Sequence, residues 1–202
     1  MARIMGPRNK RARHIGEDLG LRSKSEKLAR RLGIPPGQHG QKGRRRTSEF
    51  ALQLREKQKV RFVYGVMERQ LRRYVAEALK ARGKTGEMLL QALERRLDNV
   101  VYRLGLAPTR AAARQLISHG HGRVNNARVS IPSYRVSIND IIGLSSTALA
   151  TPGVKDLAVA KDQVIPGWLR RKAAVGQVVR LPVRDDILEP ITEQLIVEFY
   201  SR

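Results

Sequence analysis

Apolar residues recur at helical spacing through residues 49–105 and then give way to shorter, strand-like runs. From Glu49 to about Phe62 the pattern is helical, with Ser48 placed to cap it and a charged interior from Arg55 to Lys59. Between Val66 and Arg82, Met67, Leu71, Tyr74, Val75 and Ala78 share one stripe, while Arg69, Arg72, Arg73 and Lys80 fall largely off it. Gly83 stops that helix and Thr85 can cap the next. Its stripe of Leu89, Leu93, Leu97, Val100 and Leu104 predicts one continuous helix ended by Gly105.

The centre of the chain is denser in signals. Pro108 bars helix continuation, Thr109 can cap, and Arg110–Ser118 predicts about two and a half turns. On a helical projection Ala112, Ala113, Leu116 and Ile117 occupy one half; Arg110, Arg114, Gln115 and Ser118 occupy the other. Gly120 and Gly122 permit backbone angles closed to other residues. Val124–Asn125 and Arg128–Ile131 read as short strands about an Asn125-Asn126 turn, because Asn tolerates positive φ. A further strand is expected around Asp140–Ile142. Beyond Gly143 a Ser/Thr/Ala-rich linker runs to Pro166, with a short helix near Val154–Asp162. Trp168 is the only tryptophan and reads as a core anchor. Val178–Val183 reads as a strand, Asp185-Asp186 as a capping pair, and Pro190 as the start of a helix carrying Ile191, Leu195 and Phe199.

Charge adds the partner class. Forty Lys and Arg against eighteen Asp and Glu leave a net charge of +22, unevenly placed. Residues 1–46 hold fourteen bases and three acids; residues 178–202 hold three bases and five acids. The first segment is broken by Gly and Pro, has one or two helical turns at most near Ser25–Arg31, and ends in Arg44-Arg45-Arg46, which predicts an extended basic arm. Such an excess favours a phosphate polymer or an anionic membrane. Membrane is the weaker partner, since the longest uncharged run, Ile141–Val154, is fourteen residues and cannot span a bilayer. The opening MARIMGPRNKRARHIG has no apolar run after its basic residues, so a cytosolic chain is expected. With no cysteine there is no disulfide, Cys-based zinc site or thiol nucleophile.

Within Arg110–Arg128 the candidate chemistry converges. Arg110 and Arg114, one turn apart, can bridge neighbouring phosphates; His119 and His121 flank glycines that admit a close backbone approach; Arg123 extends the patch. Aromatics make up only 4% of the chain, too few to stack splayed bases, so folded RNA read through backbone and shape fits better than single strands. A helix-turn-helix over Leu89–Ser118 is disfavoured because the Arg110 helix leads into a hairpin. Ala78–Thr85 satisfies a relaxed phosphate-loop pattern, but its residues finish an amphipathic helix instead of following a buried strand. His119 and His121 lack a third and fourth ligand, so no metal is expected, and no Ser, His and carboxylate cluster points to catalysis.

These residues carry a resemblance. LERRLDNVVYRLGLAPTRAAARQLISHGHGRVN, with PSYRV after it, resembles the S-four RNA-binding domain over about Leu93–Leu157. MARIMGPRNKRARHIG, PPGQHG, LQLREKQKVRFVYGVMERQLRRY, TGEMLLQALERRLDN and LIVEFYSR extend the likeness to the small-subunit ribosomal protein S-four family, bacterial or organellar, over essentially the whole chain. The resemblance implies an α+β fold: a basic arm (1–46), a helical domain from 47–92 plus 178–202, an inserted S-four module (93–157) and a connecting segment (158–177). It implies a non-catalytic assembly protein without cofactor. Such a protein binds a multi-helix junction in the five-prime domain of small-subunit ribosomal RNA, contacts ribosomal protein S-five, and contributes to translational accuracy. Arg44, Arg45 and Arg46 match the family's loop near the channel through which messenger RNA enters. Arg55, Lys57, Lys59 and Arg61 match its RNA-facing helix. Arg3, Lys10, Arg11, Arg13, Arg69, Arg110, Arg114, Gln115, His119, His121, Arg123, Asn125 and Arg128 complete the expected RNA-binding set. Many family members bind zinc through four cysteines in the arm; here the arm must be ordered by RNA and packing alone. Gly122 stands where the family usually places a bulky aliphatic, and Asn126 replaces the usual turn Gly.

Overall fold

The computed structural model describes residues 4–21, 26–42, 47–160 and 164–201. Its helices are α1 (Arg8–Ile15), α2 (Glu26–Ala29), α3 (Glu49–Tyr64), α4 (Glu68–Lys80), α5 (Thr85–Glu94), α6 (Leu97–Arg103), α7 (Arg110–Ser118), α8 (Ser146–Leu149), α9 (Pro152–Val159) and α10 (Glu193–Tyr200). Strands β1 (Gly122–Val124), β2 (Ala127–Arg128), β3 (Ile141–Leu144), β4 (Leu169–Lys172) and β5 (Val175–Val178) form one antiparallel sheet in the order β2-β1-β3-β5-β4. The chain divides into two compact units: Met1–Leu89 with Pro190–Arg202, and Leu90–Glu189. Val178–Glu189, read in the sequence with the helical segments, fall in the second, sheet-bearing unit.

In the first unit the Ser48 side chain accepts from the Ala51 amide at 3.3 Å and starts α3, which Gly65 ends in the left-handed conformation at φ +62°. Helices α1 and α10 pack on α3. Ile15, Val60, Val63, Tyr64, Leu71, Val75, Leu89, Ile191 and Ile196 are buried in this unit. The expectation of an extended N-terminal arm is corrected for the described residues. Ala12 and Ile15 give α1 a buried edge, and Leu19 and Leu28 are buried too. Arg11 donates to the carbonyls of Ile4 and Gly6, both at 2.9 Å, and Arg13 to those of Ile34 and Pro35, so these two guanidiniums fold the arm's own backbone. Helix α10 begins at Glu193, not at Pro190.

In the second unit the stripe expected to form one helix forms two. Helix α5 stops because the next backbone groups pair elsewhere. Arg95 O accepts from Val136 N at 2.9 Å, Leu97 N donates to Tyr134 O at 2.9 Å, and Arg96 bridges Arg135. Leu97, Val101, Leu104, Ile117, Val124, Val136, Ile142 and Trp168 then share one core beneath the sheet. The β1–β2 turn holds Asn125 at φ 49° and Asn126 at φ 67°, the two positive angles that a tight hairpin requires. Gly122 fits without a side chain: a Cβ there would meet Val129 O at 2.8 Å and an Ile117 methylene at 3.4 Å. The strand expected at Val178–Val183 lies earlier, as β5, paired with β4. Asp185-Asp186 caps no long helix; it lies in a single 3-10 turn, Arg184–Asp186. Asp186 there binds the Arg180 fork at 2.6 and 2.7 Å and the Val183 amide at 2.9 Å.

Candidate nucleic-acid interface

Helix α7 is built as the sequence predicts, with the Thr109 side chain accepting from the Ala112 amide at 3.2 Å and Ala113 and Ile117 buried. Its arginine half meets acids, not solvent. Arg110 donates to the Asn99 side chain at 2.7 Å and to Glu189 at 2.5 Å, and its guanidinium lies 4.5 Å from the centre of the Tyr102 ring. Arg114 donates to Asp98 through Nε at 2.9 Å and pairs through Nη2 at 2.8 Å; Arg96 grips the same carboxylate. The side chains of Arg110 and Arg114 are only 10% and 16% exposed. Burial by itself would raise the Glu189 carboxyl, yet Arg110 and Arg103 outweigh it and hold the group at about 2. The expectation that these two arginines present open forks to phosphates is therefore corrected. They fix α7 against α6 and the 189 turn.

What projects from this unit lies at the far end of α7 and on the hairpin. Gln115, Ser118 and His119 are exposed. Gly120, at φ +80°, carries the Arg128 guanidinium directly on its backbone, where a Cβ would overlap it. Arg123 and Arg128 are register partners on β1 and β2, both exposed. Arg123 braces itself on Asn126 O at 3.1 Å, and among the described residues neither arginine meets a carboxylate. His121 is partly buried, with Nδ1 3.0 Å from Ser145 Oγ, and Asn125 is occupied by Asp140 and the Ile141 amide. Asn125 thereby ties the turn to the start of β3, and His121 ties the entry of β1 to Ser145.

The first unit repeats the lesson. Lys57 and Lys59, expected on an RNA-facing helix, are 6% and 3% exposed. Lys57 Nζ sits 3.2 Å from Glu68 and 4.3 Å from the centre of the Phe199 ring. Lys59 pairs with Glu17 at 2.6 Å and Glu56 at 3.6 Å and donates to Pro190 O. Arg61 reaches Glu68 at 3.3 Å, and Arg55 reaches Glu17 at 3.9 Å. Lys57 belongs to the buried stripe of Val60 and Tyr64, which is why its charge turns inward. Lys10 and Arg69 are exposed; Arg3, Arg44, Arg45 and Arg46 lie outside the described residues. Among the described residues no group of three or more His, Asp or Glu could hold a metal ion.

A family model of the ribosomal protein S4/S9 N-terminal domain matches residues 3–94, and an S4-domain model matches residues 95–142. The small ribosomal subunit protein uS4 of Mycobacteroides abscessus is 54% identical over 209 residues, with both chains covered in full. Those of Cutibacterium acnes and Chloroflexus aurantiacus are each 49% identical, again over the full length of both chains. The chain belongs to the uS4 family.

The uS4 family is structural and not enzymatic, in keeping with a site made of cations and amides. Its two matched segments meet between Glu94 and Arg95, where α5 ends and the backbone turns to pair with 134–136. The S4-domain match holds α6, α7 and the hairpin, the elements that carry the exposed tip.

Proposed function

We propose that this chain, a structural constituent of the small ribosomal subunit in the cytoplasmic ribosome, is a primary ribosomal-RNA-binding protein of assembly. It grips a multi-helix junction in the five-prime domain and thereby supports translational accuracy. One observation carries the reading: Arg123 and Arg128 stand directly opposite each other, both exposed, and among the described residues neither pairs with an acid. Like charges so placed destabilise a hairpin, and a phosphate laid across them reverses the sign. Gln115 and His119 add exposed hydrogen-bonding groups at the end of α7, so the unit binds backbone through charge and fixes its register through polar contacts.

A contact with ribosomal protein S-five is assigned to the C-terminal segment, where Glu193 and Glu198 accompany the Phe50–Phe199 ring pair (centroids 5.7 Å apart), with Phe50 49% exposed. Messenger RNA at Arg44–Arg46 rests on the sequence resemblance. The deciding experiment titrates the full chain against a folded five-prime-domain fragment and a duplex of equal charge across a salt series. Preference for the junction is expected, and the R123A/R128A double variant should weaken binding at least about tenfold while melting no lower than wild type. Equal affinity for both nucleic acids would overturn the reading.

A further inference from the structure

The five-stranded sheet packs one face on α6 and α7, where Val124, Ile142, Leu169 and Val178 join the core of Val100, Leu104 and Ile117. Its other face is open. There the register brings Arg123 of β1, Gly143 of β3, Val175 of β5 and Lys172 of β4 into one row, with Ile141, Gln177 and Arg170 in the next. Ile141 and Val175 are 50% and 45% exposed. Neither row holds an acid, and among the described residues neither Arg170 nor Lys172 pairs with one. Asp140, beside Ile141, is buried and turned toward Asn125 and the Ser137 amide.

Gly143 is the position that the fold leaves unexplained. Elsewhere in the sheet glycine is required: a Cβ at Gly176 would overlap the Leu104 side chain, and one at Gly122 would meet Val129 O at 2.8 Å. At Gly143 a Cβ would meet only a Val175 methyl at 3.9 Å, an ordinary contact, and its φ is not positive. A glycine inside a strand weakens it, and one that the fold does not need marks a close approach from outside. The notch at Gly143, with Val175 beside it and Ile141 diagonal to it, makes an apolar trough. Its banks are cationic, Arg123 on one side and Arg170 with Lys172 on the other. Three strand spacings part Arg123 from Lys172, about 14 Å, and a helix with its side chains is roughly 10–12 Å across. The four residues of β3 run for about 13 Å, the length of two to three helical turns.

The floor and the banks together select the occupant. Nucleic acid suits the banks only, since phosphate oxygens laid on Ile141 and Val175 lose water without gaining a partner, and the rows carry no aromatic on which a base could stack. A second copy would set the same cations against one another. An apolar stripe with carboxylates on both flanks matches floor and banks alike.

We propose that the open face of β3 and β5 docks an acidic amphipathic helix of a partner protein, its apolar stripe on Ile141, Gly143 and Val175 and its carboxylates on Arg123, Arg170 and Lys172. This goes beyond the RNA-binding reading, which uses the hairpin edge and leaves β3, β5 and β4 unassigned. The probe is a fluorescein-labelled peptide of about eighteen residues, with Leu along one helical stripe and Glu on both flanks; a scrambled peptide of identical composition is the control. In anisotropy titrations of the full chain, the striped peptide should bind at least about tenfold more tightly than the scrambled one. I141T/V175T, which keeps the β-branched shape, and R170Q/K172Q should each weaken the striped peptide at least about tenfold. Gly143→Ala should weaken it too while melting no lower than wild type, a combination that a purely structural glycine does not give. The folded five-prime-domain RNA fragment should bind I141T/V175T as it binds wild type. Equal affinity for the two peptides, or wild-type peptide affinity in any of the three variants, overturns the proposal. So does a loss of RNA affinity in I141T/V175T, which would make RNA the occupant, or a wild-type dimer that this variant abolishes, which would make it a second copy. The R123A/R128A test of RNA binding stands or falls separately.

Discussion

Arg110 and Glu189, 79 residues apart in sequence, sit 2.5 Å from nitrogen to oxygen with both side chains largely out of solvent. Arg103 reaches the other oxygen of the same carboxylate at 2.5 Å and also binds Glu94, which is fully buried. The 189 turn is thus tied to α6 and α7 by charge. Removing one member leaves a buried charge short of its partner, which is the costly way to break such a network.

Arg110→Ala is accordingly expected to destabilise the protein by about 3 kcal/mol. Urea unfolding followed by circular dichroism measures it; a loss below about 0.5 kcal/mol would mean that the pair behaves as a surface contact.

Glu189 also sets an acid limit. Its folded carboxyl titrates near 2 against an ordinary value of 4.5. The stabilisation is therefore complete above about pH 4.5 and is lost as pH falls toward 2. The shift corresponds to roughly 3 kcal/mol. Melting temperature should decline through that window, and Glu189→Gln should flatten the decline while lowering stability at pH 7.

Lys57→Ala should act on folding more than on RNA. Its ammonium is buried against Glu68 and Phe199, and its loss leaves the Glu68 carboxylate with Arg61 and the Tyr200 hydroxyl, which donates to it at 2.7 Å. A loss of about 2–4 kcal/mol is expected, with the salt slope of RNA binding unchanged. A shallower slope at unchanged stability would restore the RNA-facing role.

Gly122→Val tests the hairpin. The added side chain meets Val129 O and Ile117, so about 1–3 kcal/mol of destabilisation is expected from overpacking. Two-dimensional NMR should place the largest shifts at Ile117 and Val129. A neutral outcome would show that the strand moves aside freely.

Local signals were legible and distant pairings were not. Thr109 as cap, Arg110–Ser118 as helix, Asn125-Asn126 as turn and Trp168 as core anchor all depend on neighbours within a few residues, and each appears where the pattern put it. The break at Arg95-Arg96 was hidden because its cause, the 134–136 backbone, lies about forty residues away. Strand β4 had little apolar alternation to announce it, since only Leu169 of its four residues is buried. At the site, projection correctly separated Arg110 and Arg114 from the apolar half of α7, but it could not see that Asp98 and Glu189 wait on the other side. Lys57 was within reach of sequence: Gln53, Lys57, Val60 and Tyr64 fall on one stripe, a register that favours burial over a phosphate-facing role.

Trp168 gives the protein a single tryptophan fluorophore, excitable at wavelengths where tyrosine is silent and sealed within the sheet-bearing unit. Its emission will follow the opening of that unit and stay silent when α1, α3, α4 or α10 frays. Paired with tyrosine absorbance, which also reports Tyr64 and Tyr74 of the other unit, it lets a spectroscopist time the two halves separately as RNA is added.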